Sequence, residues 1–237
     1  MIIGIYGFQD AGKTTLVEDV VRRLAKKGYS VASVKHSPHR KSVDCEGKDT
    51  WRHWKAGSDP VVFASEVETA FIKHRKLGPE DITRILGEEF RPDVIVMEGF
   101  KEGPFPKVAV GDLKPRMGTV LMNPKAAEIV EYIEAEVSAE RTLAKLPGLD
   151  CRKCGLDCDG LARAIASGKR RLEDCKELPS AGVSIAVDGK RIPMGRFASS
   201  IVNDTIRGML GSLKCYEHGK DVEIRLEAKS APPRRRR

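Results

Sequence analysis

The chain has 237 residues, 41% hydrophobic and 32% charged, with a formal charge of +8. That is enough for one full-sized core plus a small appendage, or for a single large domain, with a basic balance that suits anionic partners. No apolar run approaches the ~20 residues a membrane-spanning helix needs, and "MIIGIYGFQD" meets glycines and an aspartate before it could act as a signal peptide. A cytoplasmic chain without membrane contact is therefore expected, and with aromatics at 5% and no basic-aromatic interleaving, nucleic acid is disfavoured as a partner.

Residues 2–6, "IIGIY", are the first strand candidate. A glycine-bounded loop follows, then a helix in which Leu16, Val17, Val20, Val21 and Leu24 recur at helical spacing, with Gly28 as its stop. "YSVASVK" reads as a second strand, and the polar stretch from His36 to Lys55 as a long loop containing a short helix. "PVVFAS" and "TAFIKH" are strand candidates, "GPEDITRILGEEF" a helix with Pro79 near its start, and "DVIVMEG" a buried strand that ends on an acid. "PKVAV" and "GTVLM" are further strands, and "PKAAEIVEYIEAEVS" a helix. Strands and helices alternating in this order predict an α/β fold, a mostly parallel sheet covered by helices.

The pattern breaks near Leu146. A cysteine-rich segment runs to about Leu178, with a short helix in "GLARAIASGK". Then come a strand in "VSIAVDG" with a turn at Asp188-Gly189, a helix with Phe197, Ile201, Val202, Thr205, Ile206 and Met209 on one face, and an alternating strand "DVEIRL". The expected division is a nucleotide-binding domain over 1–145, a cysteine segment over 146–180, a C-terminal α+β extension over 181–228 and a basic tail over 229–237.

"GFQDAGKTT" places Gly7, four residues, then Gly12, Lys13 and Thr14 between a strand and a helix. This is the P-loop pattern: loop amides and the helix N-terminus cradle phosphate oxygens, the lysine neutralises charge, and the hydroxyl reaches Mg²⁺. The chain is thereby read as a P-loop NTPase. The second metal-side group should be an acid at a neighbouring strand end, which selects Glu98; Asp93 only opens that strand. The loop after the second strand holds Lys35, His36, His39, Asp44, Asp49 and His53, acids that could reach Mg²⁺ through water and bases that could touch phosphate. Asn123 to Lys125 is a weak candidate for reading a base edge, and the residues alone leave the nucleotide open between ATP and GTP.

Cys151, Cys154, Cys158 and Cys175 are spaced x2, x3 and x16. Thiolates crowded this closely repel unless protonated, oxidised or neutralised by metal, and four of them suit a [4Fe-4S] cluster or tetrahedral Zn²⁺. Zinc sites commonly come as two close pairs, so the three-plus-one grouping favours iron-sulfur, with Zn²⁺ as the alternative. Gly148, Gly155 and Gly160 permit a tight path around a cluster. Cys45 and Cys215 are not needed to complete the set.

Taken together, "GFQDAGKTTL", "VKHSPH", Asp44, "GKDTWRHWKAG", "VVFAS", "DVIVMEGFK" and "PKVAV" make residues 1 to about 135 resemble the MobB family of molybdopterin-guanine dinucleotide biosynthesis proteins. The resemblance implies a homodimeric GTP-binding accessory protein with weak GTPase activity. Its partner would be the molybdopterin guanylyltransferase or a molybdenum or tungsten enzyme. It carries over Gly7, Gly12, Lys13, Thr14 and Thr15 as phosphate and Mg²⁺ residues, and Asp44, Lys48, Asp49 and Glu98 as further site residues. The segment from "LPGLDC" to "LEDC" is similar to the small four-cysteine iron-sulfur domain of corrinoid iron-sulfur proteins. Two alternatives remain at this point: a nucleotide-gated scaffold, or an NTPase that delivers a metal cluster to a redox enzyme.

Overall fold

The computed structural model describes residues 1–37, 39, 42–179, 183–187, 190–217 and 221–224. Its centre is a five-stranded, wholly parallel sheet in the order β2-β5-β1-β6-β7, formed by β1 (Ile2–Gly7), β2 (Val31–Lys35), β5 (Val94–Glu98), β6 (Lys107–Val110) and β7 (Thr119–Met122). The expected α/β architecture is thus the observed one.

Successive strand residues face opposite sides of a sheet, and the two cores follow from that period of two. Ile3 and Ile5 of β1 and Val94 and Val96 of β5 share one face with Val17, Val20 and Leu24 of α1 (Lys13–Lys26) and Ile129, Ile133 and Val137 of α4 (Ala126–Leu143). Ile95 and Met97 face the other side, where Phe100 and Phe105 and the partly buried Ile82 and Leu86 of α3 (Pro79–Glu89) meet them. Every residue of β5 is buried. Its near-continuous apolar run is the mark of a central parallel strand.

Local signals set most boundaries. Gly28, at φ 85°, ends α1 in the left-handed conformation glycine tolerates. At α4 the Lys125 backbone N–H donates to Glu128 Oε2 at 2.7 Å, which satisfies one donor at the helix start. That helix runs to Leu143, past the predicted end near Ser138, because Val137 and Ala139 are still buried. The short helix α2 spans Asp49–Lys55, and β3 (Val61–Ala64) and β4 (Thr69–Ile72) form an antiparallel hairpin outside the main sheet.

The chain divides into two compact units, Met1–Lys145 with Asp159–Arg171, and Leu146–Cys158 with the chain from Leu172 onward. Helix α5 spans Cys158–Ala166, so Cys158 is its first residue. In the second unit the predicted strand "VSIAVDG" contracts to β8 (Ala186–Val187), paired with β9 (Lys190–Arg191), and α6 spans Arg196–Leu210. The predicted turn at Asp188-Gly189 and the basic tail lie outside the described residues. The strand predicted over 221–226 is not formed in its described part, 221–224. Alternating polarity makes a strand only where a neighbour takes up its backbone groups. Among the described residues no helix is long and apolar enough to cross a membrane.

Asp93 fastens the amino end of the sheet. Its Oδ2 accepts from the Ser30 backbone N–H at 2.9 Å and from Ser30 Oγ at 3.2 Å, and its Oδ1 accepts from Arg141 Nη2 at 2.6 Å, so one carboxylate ties the starts of β2 and β5 to the end of α4. The Ser30 backbone N–H, helped by Arg141, holds its pKa below the ordinary carboxylate value. A lowered native pKa contributes stability at neutral pH, which is lost as pH falls through that native value. Asp93→Ala should cost about 1–2 kcal/mol at pH 7. In denaturant titrations the gap to the wild type should close as the medium is acidified below about pH 3.9.

Candidate nucleotide site and cysteine segment

The loop between β1 and α1 is turned by two left-handed residues, Asp10 at φ 59° and Gly12 at φ 77°. It delivers the chain to a helix that starts without a side-chain cap and without an acid in its first turn. Amides at such a helix start are open to an anion, and the helix dipole favours one there. The two motif glycines serve different ends. A Cβ at Gly7 would lie 2.3 Å from the Val110 carbonyl oxygen, so Gly7 is required by the close approach of β6. A Cβ at Gly12 would meet nothing within 4 Å, so Gly12 is required by its dihedral angle.

Lys13 directs its ammonium across the loop to the Phe8 carbonyl oxygen. Thr14 Oγ1 donates to Glu98 Oε1 at 3.0 Å, and Lys35 donates to the same carboxylate oxygen and to Thr14 Oγ1, the latter at 3.2 Å. Glu98 is only 5% exposed, and a carboxylate buried this far needs such partners. Lys35 and Glu98 are register partners in the β2–β5 ladder, so the ion pair follows directly from the strand alignment. Thr15, next along α1, is exposed.

The structure brings Lys13, Thr14, Glu98 and Lys35 to one edge of the sheet, and it gives Asp44, Lys48 and Asp49 different surroundings. Asp44 accepts from Thr50 Oγ1 at 2.6 Å, and His74 Nε2 stands 3.0 Å from its Oδ2 without the alignment of a hydrogen bond. Trp54 stacks on His74 with ring centroids 4.1 Å apart. Asp44 therefore ties the loop before α2 to the end of β4. Lys48 caps α2 and Asp49 opens it; both are exposed, and Asp49 pairs with Arg52 at 3.7 Å. Among the described residues none of the three shares a hydrogen bond or ion pair with Lys13, Thr14 or Glu98. Asn123, considered for base reading, spends its amide on Gly111: its Oδ1 accepts from the Gly111 N–H at 2.6 Å and its Nδ2 faces the Gly111 carbonyl at 3.3 Å.

The cysteine loop is turned by Gly148, Asp150, Arg152 and Gly155, all at positive φ. The Cys158 backbone N–H donates to Asp150 Oδ1 at 2.9 Å and the Gly155 N–H to the Arg152 carbonyl at 2.8 Å, which fixes the turn. All four cysteines are free thiols; Cys151 is exposed, Cys154 half-buried, and Cys158 and Cys175 buried. Burial pushes the Cys175 thiol up, and the charges of Cys154, Cys158 and Cys151 push in the same direction, so Cys175 lies within electrostatic reach of the other three. Among the described residues no group of three or more His, Cys, Asp or Glu side chains is drawn to metal-holding distance. The donor set nevertheless fits an iron-sulfur cluster or zinc in kind: four unoxidised thiols, three on one tight loop and the fourth within reach of their charge.

A family model described as "Molybdopterin guanine dinucleotide synthesis protein B" matches residues 2–135, more than half of the chain. The chain belongs to the MobB family. A second model, described as "Putative Fe-S cluster", matches residues 146–177. A Methanocaldococcus jannaschii protein named "Putative molybdopterin-guanine dinucleotide biosynthesis adapter protein" is 32% identical over 236 residues, 95% of this chain and 97% of that one. A Haemophilus influenzae adapter protein of the same pathway is 36% identical over 111 residues, 45% of this chain and 61% of its own length. The crystal structure of Bacillus subtilis MobB aligns at 21% identity with a TM-score of 0.44, covering 56% of this chain and 94% of that one. The MobB match accounts for the first unit's motifs, and the full-length archaeal relative carries the likeness through the cysteine segment as well.

The two glycines give a stability test. Gly7→Ala forces a Cβ against backbone and should cost about 2–3 kcal/mol, whereas Gly12→Ala carries only left-handed strain of about 1–2 kcal/mol. Thermal unfolding of the two variants should rank them in that order.

Proposed function

We propose that this MobB-family chain is a GTP-binding adapter in molybdopterin guanine dinucleotide formation, with weak GTPase activity. The observation that carries it is the meeting of Thr14, Glu98 and Lys35 beside the uncapped start of α1. Gly12, Lys13, Thr14 and Thr15 line the phosphate path, with Gly7 fixing where the loop leaves the sheet. The Lys13 ammonium leaves the Phe8 carbonyl to meet β- and γ-phosphate oxygens. Thr14 Oγ1 and Glu98 are the oxygen groups that would hold Mg²⁺, directly or through water, and Mg²⁺ when bound offsets phosphate charge. Lys35 balances Glu98 beside them. Because Glu98 already accepts from Thr14 and Lys35, it is poorly placed to take a proton from an attacking water, in keeping with slow hydrolysis. Asp44, Lys48 and Asp49 take the role of shaping the loop over the site.

Cys151, Cys154, Cys158 and Cys175 are the residues that would hold a [4Fe-4S] cluster, with Zn²⁺ as the alternative; a cluster would neutralise the thiolates and supply one-electron chemistry or a rigid fold. A homodimer fits the β3–β4 hairpin, where Val62 and Phe71 oppose one another and are 49% and 70% exposed. The client is the guanylyltransferase that forms the dinucleotide, or the molybdenum or tungsten enzyme that receives it.

Titration with GTP and ATP in the presence of magnesium should show preferential GTP binding. Lys13→Ala should weaken it about 10–100-fold while leaving the fold intact by circular dichroism. Unchanged affinity in that variant would remove the nucleotide reading. Protein prepared without oxygen should carry about four iron and four sulfide per chain. Substituting Cys175→Ser should lower that content, whereas one zinc and no sulfide would select the alternative. Sedimentation of the same preparations should give a dimer, and a Phe71→Glu variant a monomer.

A further inference from the structure

The iron-sulfur match ends at residue 177, and within the second unit the chain beyond it closes back on the cysteine loop. Arg191 Nη1 donates to the Leu146 carbonyl at 3.0 Å. A Cβ at Gly148 would stand 4.0 Å from Pro193, and one at Gly195 would stand 3.1 Å from Leu149 Cδ1. The stretch 191–195, which leads into α6, therefore meets residues 146–149 at the start of the loop.

One carboxylate gathers the remaining segments. Glu177 follows Cys175 by two residues, and the turn that holds both is closed by the Leu178 backbone N–H, which donates to the Cys175 carbonyl at 3.2 Å. Glu177 Oε1 accepts from the ammonium of Lys153, which stands between Cys151 and Cys154 in the loop. Its Oε2 would lie 2.6 Å from a Cβ at Gly195, so it rests against the residue from which α6 starts, and that helix has no acid of its own in the first turn. A carboxylate at a helix start is favoured by the open amides and the helix dipole. Arg196 closes the far side, its Nε donating to the Leu178 carbonyl at 3.2 Å. Lys153 is 61% exposed and Glu177 20%. An exposed lysine adds little by itself, so the joint is the carboxylate on which the segments meet.

We propose that Glu177 is a positioning residue of the cysteine site: through Lys153 and the start of α6 it holds the segment that carries Cys175 to the loop that carries Cys151, Cys154 and Cys158. This role rests on the metal reading of the four thiols and extends it to side chains that bind no metal themselves. The physical reason is entropic. Three ligands on one tight loop are already neighbours, whereas 16 residues separate Cys158 from Cys175. A segment tied in place beforehand gives up less freedom when a metal gathers all four thiols. The chain from Leu172 onward, α6 included, is then the frame of the metal site and not an independent appendage.

The full chain, loaded without oxygen with ferrous iron and sulfide or, in parallel, with Zn²⁺, is challenged with an excess of chelator and the release of metal is timed. Glu177→Ala should release metal about tenfold faster than the wild type, and Lys153→Ala about two- to fivefold faster. Glu177→Gln keeps an oxygen for Lys153 and for the helix start, and should stay within about threefold of the wild type. The Lys153 charge also reaches Cys151, more weakly than it reaches Glu177. The double variant Lys153→Ala/Glu177→Ala separates the two effects: it should release metal no faster than Glu177→Ala, because the lysine acts through the carboxylate. A wild type that retains neither metal would overturn the metal reading and this role with it. Retention by the wild type with unchanged release from Glu177→Ala, additive losses in the double variant, or Glu177→Gln as labile as Glu177→Ala would each overturn the role of Glu177 alone.

Discussion

Strand β5 lies between β1 and β2 with all three parallel, and the chemistry of the first unit depends on that alignment. The register sets Glu98 opposite Ile5 on one side and Lys35 on the other, at the edge where α1 begins. A carboxylate that far from water is tolerable only with compensating donors, and the ladder supplies Lys35 while the helix supplies Thr14. Slipping β2 by one residue would turn Lys35 to the other face and leave the carboxylate without its cation. The apolar residues of β2 itself resist that slip, Val31 packing on one core and Ala32 and Val34 on the other, so packing of the core and charge balance at the site enforce the same alignment.

Both ends of the molecule's chemistry rest on backbone bent through positive φ. Asp10 and Gly12 turn the phosphate loop so that the helix start is open to an anion, and Gly148, Asp150, Arg152 and Gly155 turn the cysteine loop. The two loops suit opposite charges. The first offers amides, a lysine and a hydroxyl to oxygen anions; the second carries thiols, and there burial, joined by the charge of the other three, pushes the Cys175 thiol up.

Lys13 and Lys35 attend the phosphate loop, and Lys101, Lys114 and Arg116 line a cavity that Gly7 and Phe8 of that loop also line. Part of the chain's net charge is therefore organised where parallel sheets collect ligands.

The phosphate loop, the central strand ending on Glu98, the helix carried by α1 and the four cysteines with their three-plus-one grouping were legible in the sequence, because each is written in consecutive residues or in a period of two or 3.6. Lys35 as the partner of Glu98 was not, since 62 intervening residues separate two positions that only strand order makes adjacent. Nor was the commitment of Asp44 to Thr50 and His74, of Asn123 to Gly111, or of Asp93 to Ser30 and Arg141. The sequence by itself determined which groups could bind phosphate or metal, because local backbone and composition decide that. Only the tertiary structure decided which of those polar groups are used up by one another, because hydrogen bonds and ion pairs act over a few ångströms in space and not along the chain.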